Sequence, residues 1–68
     1  MDFYQTLLRK FVGEETHTFY FKAPVCRVQE LRRAIEEAVN DPDIPLDDFD
    51  REILLSSIQI QARNSVLH

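Results

Sequence analysis

The sequence predicts one α+β domain, mostly helical, in the order helix, strand, helix, helix. Three segments repeat apolar residues every three or four positions, which is typical of helices with one buried face. A fourth segment alternates polar and aromatic residues, which is typical of a strand. One glycine and three prolines separate these segments. Because the chain has 68 residues, all four elements belong to a single domain, residues 1–68.

The first element is predicted as a helix over residues 2–12. Its apolar residues recur at three- and four-residue spacing and would cover about half of a helix surface. They are Phe3, Tyr4, Leu7, Leu8, Phe11 and Val12. Gly13 follows at the position where a helix commonly ends in a left-handed residue.

The second element is predicted as a strand over residues 16–22, because threonine and aromatic residues suit a pleated surface. Alternation predicts one face with Phe19, Phe21 and His17. The other face then carries Thr16, Thr18, Tyr20 and Lys22.

Two further helices are predicted over residues 25–40 and 48–63. Pro24 suits the start of the first. Pro42 and Pro45 disfavour helix in the residues before them, so the connector between the two helices is irregular. Asp47 then suits the N-cap position of the last helix.

The last helix is apolar on two sides, whereas a surface helix needs only one apolar stripe. Leu46, Phe49, Ile53 and Ile60 form one stripe. Leu54, Leu55, Ile58 and Ala62 form the other. The first stripe is assigned to the chain's own core and the second to a dimer or partner interface. The full predicted core is Phe3, Leu7, Phe11, Phe19, Phe21, Val28, Leu31, Ile35, Phe49, Ile53 and Ile60.

A single strand leaves backbone donors and acceptors without partners, and such groups are costly when buried. A second copy across a two-fold axis is the simplest source of another strand. A chain this short is also marginally stable alone. We therefore expect a homodimer, formed by strand pairing or by helix packing across the two-fold. A helical segment or an unpaired surface segment at 16–22 is the alternative.

The net charge of −4 is unevenly distributed along the chain. Residues 36–52 hold eight acids and one base, net −7, whereas the rest holds four acids and seven bases, net +3. We expect this acidic end to bind a basic surface on another protein. Its candidate residues are Glu36, Glu37, Asp43, Asp47, Asp48 and Asp50. The alternative is that these acids cap a helix and solvate the surface.

The strand, helix, helix order over residues 16–63 resembles the topology of ribbon-helix-helix DNA-binding proteins. That resemblance implies that Thr18, Tyr20 and Lys22 face the bases in a DNA groove. It also implies a phosphate contact at the start of the last helix, where Asp47 and Asp48 would instead repel phosphate. Nucleic acid is therefore a disfavoured partner.

Several classes of function are not expected. No run approaches the ~20 apolar residues of a membrane span, and a lone Cys26 without a signal peptide indicates the cytoplasm. Asp41 to Glu52 has the spacing of a calcium loop but carries Leu46 where that loop needs glycine. We expect no metal, cofactor, small-molecule substrate or catalytic residue, and Cys26 is interpreted as a small, partly buried apolar residue.

The sequence therefore predicts a small non-catalytic regulator or adaptor that acts through protein–protein interaction. A dimeric DNA-binding regulator of the ribbon-helix-helix type is the first alternative. A structural subunit of a larger assembly is the second, since it would use the same apolar surface.

Overall fold

The computed structural model describes residues 3–66, which form two antiparallel strands followed by two helices. The elements are β1 (Phe3–Val12), β2 (Glu15–Pro24), a short 3-10 turn (Val25–Arg27), α1 (Val28–Asn40) and α2 (Asp48–Val66). The predicted α+β class is confirmed. So are the strand at 16–22 and the helices at 25–40 and 48–63, with shifts of a few residues at their ends.

The predicted helix at residues 2–12 is wrong, because residues 3–12 form strand β1 and residue 2 lies outside the described part of the chain. The apolar residues of this segment form neighbouring pairs that repeat every four positions. Four residues are two full periods of a strand and close to one turn of a helix. Phe3, Leu7 and Phe11 share one strand face, whereas Tyr4 and Leu8 share the other. The spacing of the apolar residues is therefore compatible with a helix and with a strand.

Gly13 and Glu14 form the two-residue turn that joins β1 to β2. Gly13 has a φ of 64°, and no other described residue has a positive φ. A positive φ at the first turn residue alone matches a type II′ turn, whose twist suits antiparallel strands. The left-handed conformation expected at Gly13 is therefore present, but it closes a hairpin and does not end a helix.

The hairpin packs one face on the helices and leaves the other in solvent. Thr6 opposite Phe21 and Leu8 opposite Phe19 lie on the inner face. The core beneath consists of Tyr4, Leu31, Ile35, Leu54 and Ile58. The predicted division of β2 is thus confirmed, with Phe19 and Phe21 inward and half-buried.

Helix α2 runs antiparallel along β1, and two polar contacts define this alignment. Lys10 Nζ lies 2.5 Å from Asp50 Oδ2, near the start of α2. Near its end, the Gln61 side chain bonds the backbone of Gln5. Five strand residues and eleven helical residues both span about 17 Å, so the two contacts are geometrically consistent. In the part of the chain that the structure describes, neither helix has the length and apolar character needed to cross a bilayer.

The two apolar stripes of α2 exchange places relative to the prediction: the stripe expected at an interface is buried, and most of the stripe expected in the core is exposed. Leu54 and Ile58 are fully buried, and Leu55 and Ala62 pack against the same core, so this stripe does not form an outer interface. Of the other stripe, Leu46 is buried but Phe49, Ile53 and Ile60 are exposed. Leu54 and Ile58 follow Asp50 at intervals of four, so they lie on the same inward side of α2 as Asp50, which contacts Lys10. Phe3, Leu7 and Phe11, also predicted in the core, are exposed because they lie on the outer side of the hairpin.

Candidate functional site: the outer face of the hairpin

The most apolar solvent-facing part of the sheet is the side turned away from the helices. We define the outer hairpin face as Phe3, Gln5, Leu7, Arg9 and Phe11 of β1 with Thr16, Thr18, Tyr20 and Lys22 of β2. Leu7 lies opposite Tyr20 across the strands. Phe11 is 75% exposed, and Phe3, Leu7 and Tyr20 are each at least half exposed. Four large apolar groups therefore face solvent from one surface.

The charged groups of the outer hairpin face are Arg9 and Lys22, and none of its nine residues is acidic. Lys22 Nζ lies 4.7 Å from the centre of the Phe3 ring, a cation–π contact. Tyr20 donates a 2.7 Å hydrogen bond from its hydroxyl to Gln5 Oε1. The face is thus apolar with a positive charge. The structure places Thr18, Tyr20 and Lys22, the residues predicted to face DNA, on this exposed side.

Gln61 closes part of the outer edge of β1. The backbone N–H of Gln5 donates to Gln61 Oε1 at 3.1 Å, and Gln61 Nε2 donates back to the Gln5 carbonyl oxygen at 2.6 Å. A side-chain amide here replaces the backbone of a neighbouring strand. An edge strand invites pairing with other chains, so at Gln5 this edge is satisfied within the chain.

Much of the predicted acidic end is engaged inside the molecule. Asp47 Oδ1 accepts a hydrogen bond from the Asp50 backbone N–H at 2.9 Å, and Asp50 Oδ2 accepts one from the Asp47 N–H at 3.2 Å. These reciprocal bonds form a capping box at the start of α2. The bond from Asp50 N–H lowers the pKa of Asp47 below its ordinary 3.8. Asp50 is also buried and bonds Lys10.

Glu36 is engaged as well, because Arg51 Nη1 of α2 lies 3.5 Å from its Oε1 on α1. Arg51 Nη2 also lies 3.3 Å from Glu52 Oε2. Glu36 is the main cause that raises the pKa of Arg51. Three of the six predicted acidic contact residues, Glu36, Asp47 and Asp50, therefore make contacts within the chain, and of these Asp47 is also exposed. Glu37, Asp43 and Asp48 are exposed.

In the described part of the chain, the other candidate sites do not group the histidine and cysteine side chains that catalysis or metal binding commonly uses. A depression of about 310 Å³ between α1 and α2 is lined by Arg32, Glu52, Leu55, Ser56 and Gln59, a set without histidine or cysteine. Across residues 3–66, no three His, Cys, Asp or Glu side chains are grouped to hold a metal ion. The predicted partial burial of Cys26 is wrong, because its side chain is exposed in the short turn before α1, and His17 lies far along β2 from it.

The apolar residues of the outer hairpin face were assigned to the core from sequence. The missed signal was Gly13–Glu14, a two-residue Gly-X link in front of a clear strand, which is typical of a hairpin. A two-residue turn at Gly13–Glu14 predicts that residues 3–12 form the strand that pairs with residues 16–22. Comparison of the chain with family models, with curated proteins and with solved structures found no match.

Proposed function

We propose that this chain is a small non-catalytic regulator or adaptor that binds another protein through its outer hairpin face. The observation that carries the proposal is the solvent exposure of Phe3, Leu7, Phe11 and Tyr20 on one side of one hairpin. Exposed single apolar residues are normal on a protein surface, whereas a grouped set marks an interaction site.

The size of the apolar surface supports this function. A large apolar side chain contributes roughly 150–250 Å² when fully exposed, so four that are half exposed or more present on the order of 400 Å². That is comparable to the largest apolar patch of a typical monomer, which is about 300–600 Å² and often functional. Added to the polar neighbours of the same face, it approaches the roughly 800 Å² that each partner contributes to a standard interface.

The charges of the face indicate the chemistry of the partner. Arg9 and Lys22 flank the apolar groups, and no acid of the face neutralises them. A partner surface with apolar groups and carboxylates would complement it, and such complementarity sets specificity and association rate. The basic partner expected for the acidic end stays a separate proposal, restricted to Glu37, Asp43 and Asp48.

The test is capture of partners by matched variants. Immobilised wild-type chain is compared with Leu7→Asp and Tyr20→Asp, and with Phe49→Asp as the control on α2, where Phe49 is 74% exposed. We expect a saturable partner, identified by mass spectrometry, to bind wild type and control and to lose at least tenfold in affinity for both hairpin variants. Equal binding to all four proteins contradicts the proposal.

A second candidate is DNA binding by the same face, in the manner of a β-ribbon. The register sets Arg9 opposite Thr18 and Gln5 opposite Lys22, and the major groove of B-DNA admits a two-stranded ribbon. Here both strands of the ribbon belong to one chain, whereas the ribbon-helix-helix resemblance implied one strand from each of two copies. Salt-dependent retention of duplex DNA that is lost in Arg9→Ala with Lys22→Ala would favour this candidate over protein docking. A role as a structural subunit predicts instead that the captured partner is part of a stable assembly.

A further inference from the structure

Helix α2 has an exposed apolar stripe that the outer hairpin face does not include. Phe49, Ile53 and Ile60 are 74%, 40% and 56% exposed, on the side opposite the buried Leu54 and Ile58. Ser56 completes the stripe. The four residues follow one another at intervals of four, three and four, the spacing with which two helices pack side by side. We call Phe49, Ile53, Ser56 and Ile60 the outer seam.

Within residues 3–66, no other element covers Phe49, Ile53 or Ile60, and the exposed Ser56 lies at the border of the depression beside α1. At about 100° per residue, the seam points roughly opposite Arg51, which contacts α1. It lies about a quarter-turn from Asp50 and Gln61, which contact β1. The seam therefore forms an open flank of the molecule, beside the outer edge of β1.

We propose that the outer seam binds the same seam of a second copy, with the two α2 helices antiparallel. The flanking charges select this orientation. Glu52 lies about 6 Å from Ser56 towards the start of α2, and Arg63 lies about 10 Å from Ser56 towards its end. Both fall on the same side of the seam. When two helices cross at Ser56 in opposite directions, Glu52 of each copy comes within side-chain reach of Arg63 of the other. Arg51 of the same chain contacts Glu52 through Oε2, so Oε1 is the oxygen that would face Arg63.

In a parallel pair, residues on the same side of the seam come to lie on opposite sides of the interface, so Glu52 of one copy would not reach Arg63 of the other and this charge pair would not form. The small Ser56 at the crossing point allows the helices to approach closely. The seam therefore gains the two Glu52–Arg63 charge pairs in the antiparallel orientation only.

The apolar area indicates a weak, concentration-dependent dimer. Phe49, Ile53 and Ile60 together present on the order of 300 Å², less than the roughly 800 Å² per partner of a standard interface. This self-association uses a different surface from the proposed protein docking and does not depend on it.

The test is sedimentation equilibrium of the full chain from about 10 µM to about 1 mM, the range in which an association of this size is populated. Wild type should shift from monomer to dimer. Ile53→Asp and Phe49→Asp should weaken dimerisation at least tenfold, whereas Phe11→Asp, an equally exposed aromatic on the hairpin, should not. Circular dichroism of each variant verifies that the fold is retained.

Charge reversal then tests the orientation. Glu52→Arg and Arg63→Glu should each weaken the dimer several-fold, and the double variant should restore it, because the two charges meet across the interface. A wild type that is monomeric at about 1 mM overturns the proposal. So does a dimer that is lost in Phe11→Asp and kept in Ile53→Asp, or a double variant no better than the single ones.

Discussion

Asp50 binds two groups at once, the backbone N–H of Asp47 and the ammonium group of Lys10. The first bond closes the capping box of α2, and the second fixes α2 to β1. Asp50 is 6% exposed, so its carboxylate is held in these contacts away from bulk water. One side chain therefore both starts the last helix and sets its position on the hairpin.

Asp50→Ala should destabilise the fold by about 1–3 kcal/mol, because it removes a helix cap and leaves Lys10 without its acidic partner. Urea denaturation followed by circular dichroism measures this difference. Asp48→Ala is the matched control, since Asp48 is exposed in the same turn and should change stability by less than about 1 kcal/mol. Equal losses for the two variants would mean that the contacts of Asp50 contribute nothing specific.

The carboxyl group of Asp47 should make the stability of the fold depend on pH in the acid range. Its pKa is lowered in the fold by the Asp50 backbone N–H. A carboxyl with a lower pKa in the folded state stabilises the fold above its unfolded pKa, here the ordinary 3.8, and this contribution is lost as the pH falls through the folded value. Asp47→Asn keeps an acceptor for the cap but does not titrate.

The stability difference between wild type and Asp47→Asn should therefore be constant from about pH 7 to about pH 5 and shrink below 3.8. Thermal unfolding across this range measures it. Two curves that stay parallel into the acid range would show that the cap does not involve the charged carboxylate.

At the scale of elements, the sequence predicted three of four correctly because their patterns were unambiguous. Threonine and aromatic residues alternate in β2, and Leu31 and Ile35 of α1 recur at helical spacing. The β1 pattern failed because pairs of apolar residues four apart satisfy both periods. Which period applies depends on β2, a long-range partner that pairs with β1 along its full length. Local periodicity does not contain that information.

Gly13→Ala should destabilise the hairpin by about 1–2 kcal/mol, because Gly13 has a φ of 64° that other residues adopt at a cost. An added Cβ would meet no atom within 4 Å, so the effect is one of backbone conformation and not of collision. Glu14→Ala, at the next turn position with a negative φ, is the control and should be nearly neutral. Chemical denaturation of the two variants checks the difference, and equal stabilities would exclude the type II′ turn.

At the scale of the whole molecule, the chain is elongated, measuring 42 × 19 × 18 Å. The hairpin accounts for this shape, since Phe11, Val12, Glu15 and Thr16 near its turn are exposed on both faces. The expectation that the predicted strand lacked a partner was wrong, because β1 supplies it. The expected surplus of apolar surface is present, but on residues that sequence had assigned to the core.

The sequence could identify two apolar stripes on α2 but not which of them faces inward. That choice depends on how α2 packs against β1, where Asp50 contacts Lys10 and Gln61 contacts Gln5. The same limit applies to the acidic end. Acids that cap a helix and acids that face a partner look alike in sequence, and only the contacts of Asp47, Asp50 and Glu36 separate them.

The proposed function depends most directly on the hairpin, since only strand pairing puts Leu7, Phe11 and Tyr20 on one exposed face. Two-dimensional NMR of the dilute chain tests this pairing. We expect close Hα–Hα contacts between Leu7 and Tyr20 and between Arg9 and Thr18, the residues opposite each other in the register. Contacts between residues three apart along 3–12, typical of a helix, would contradict the hairpin and the docking face with it.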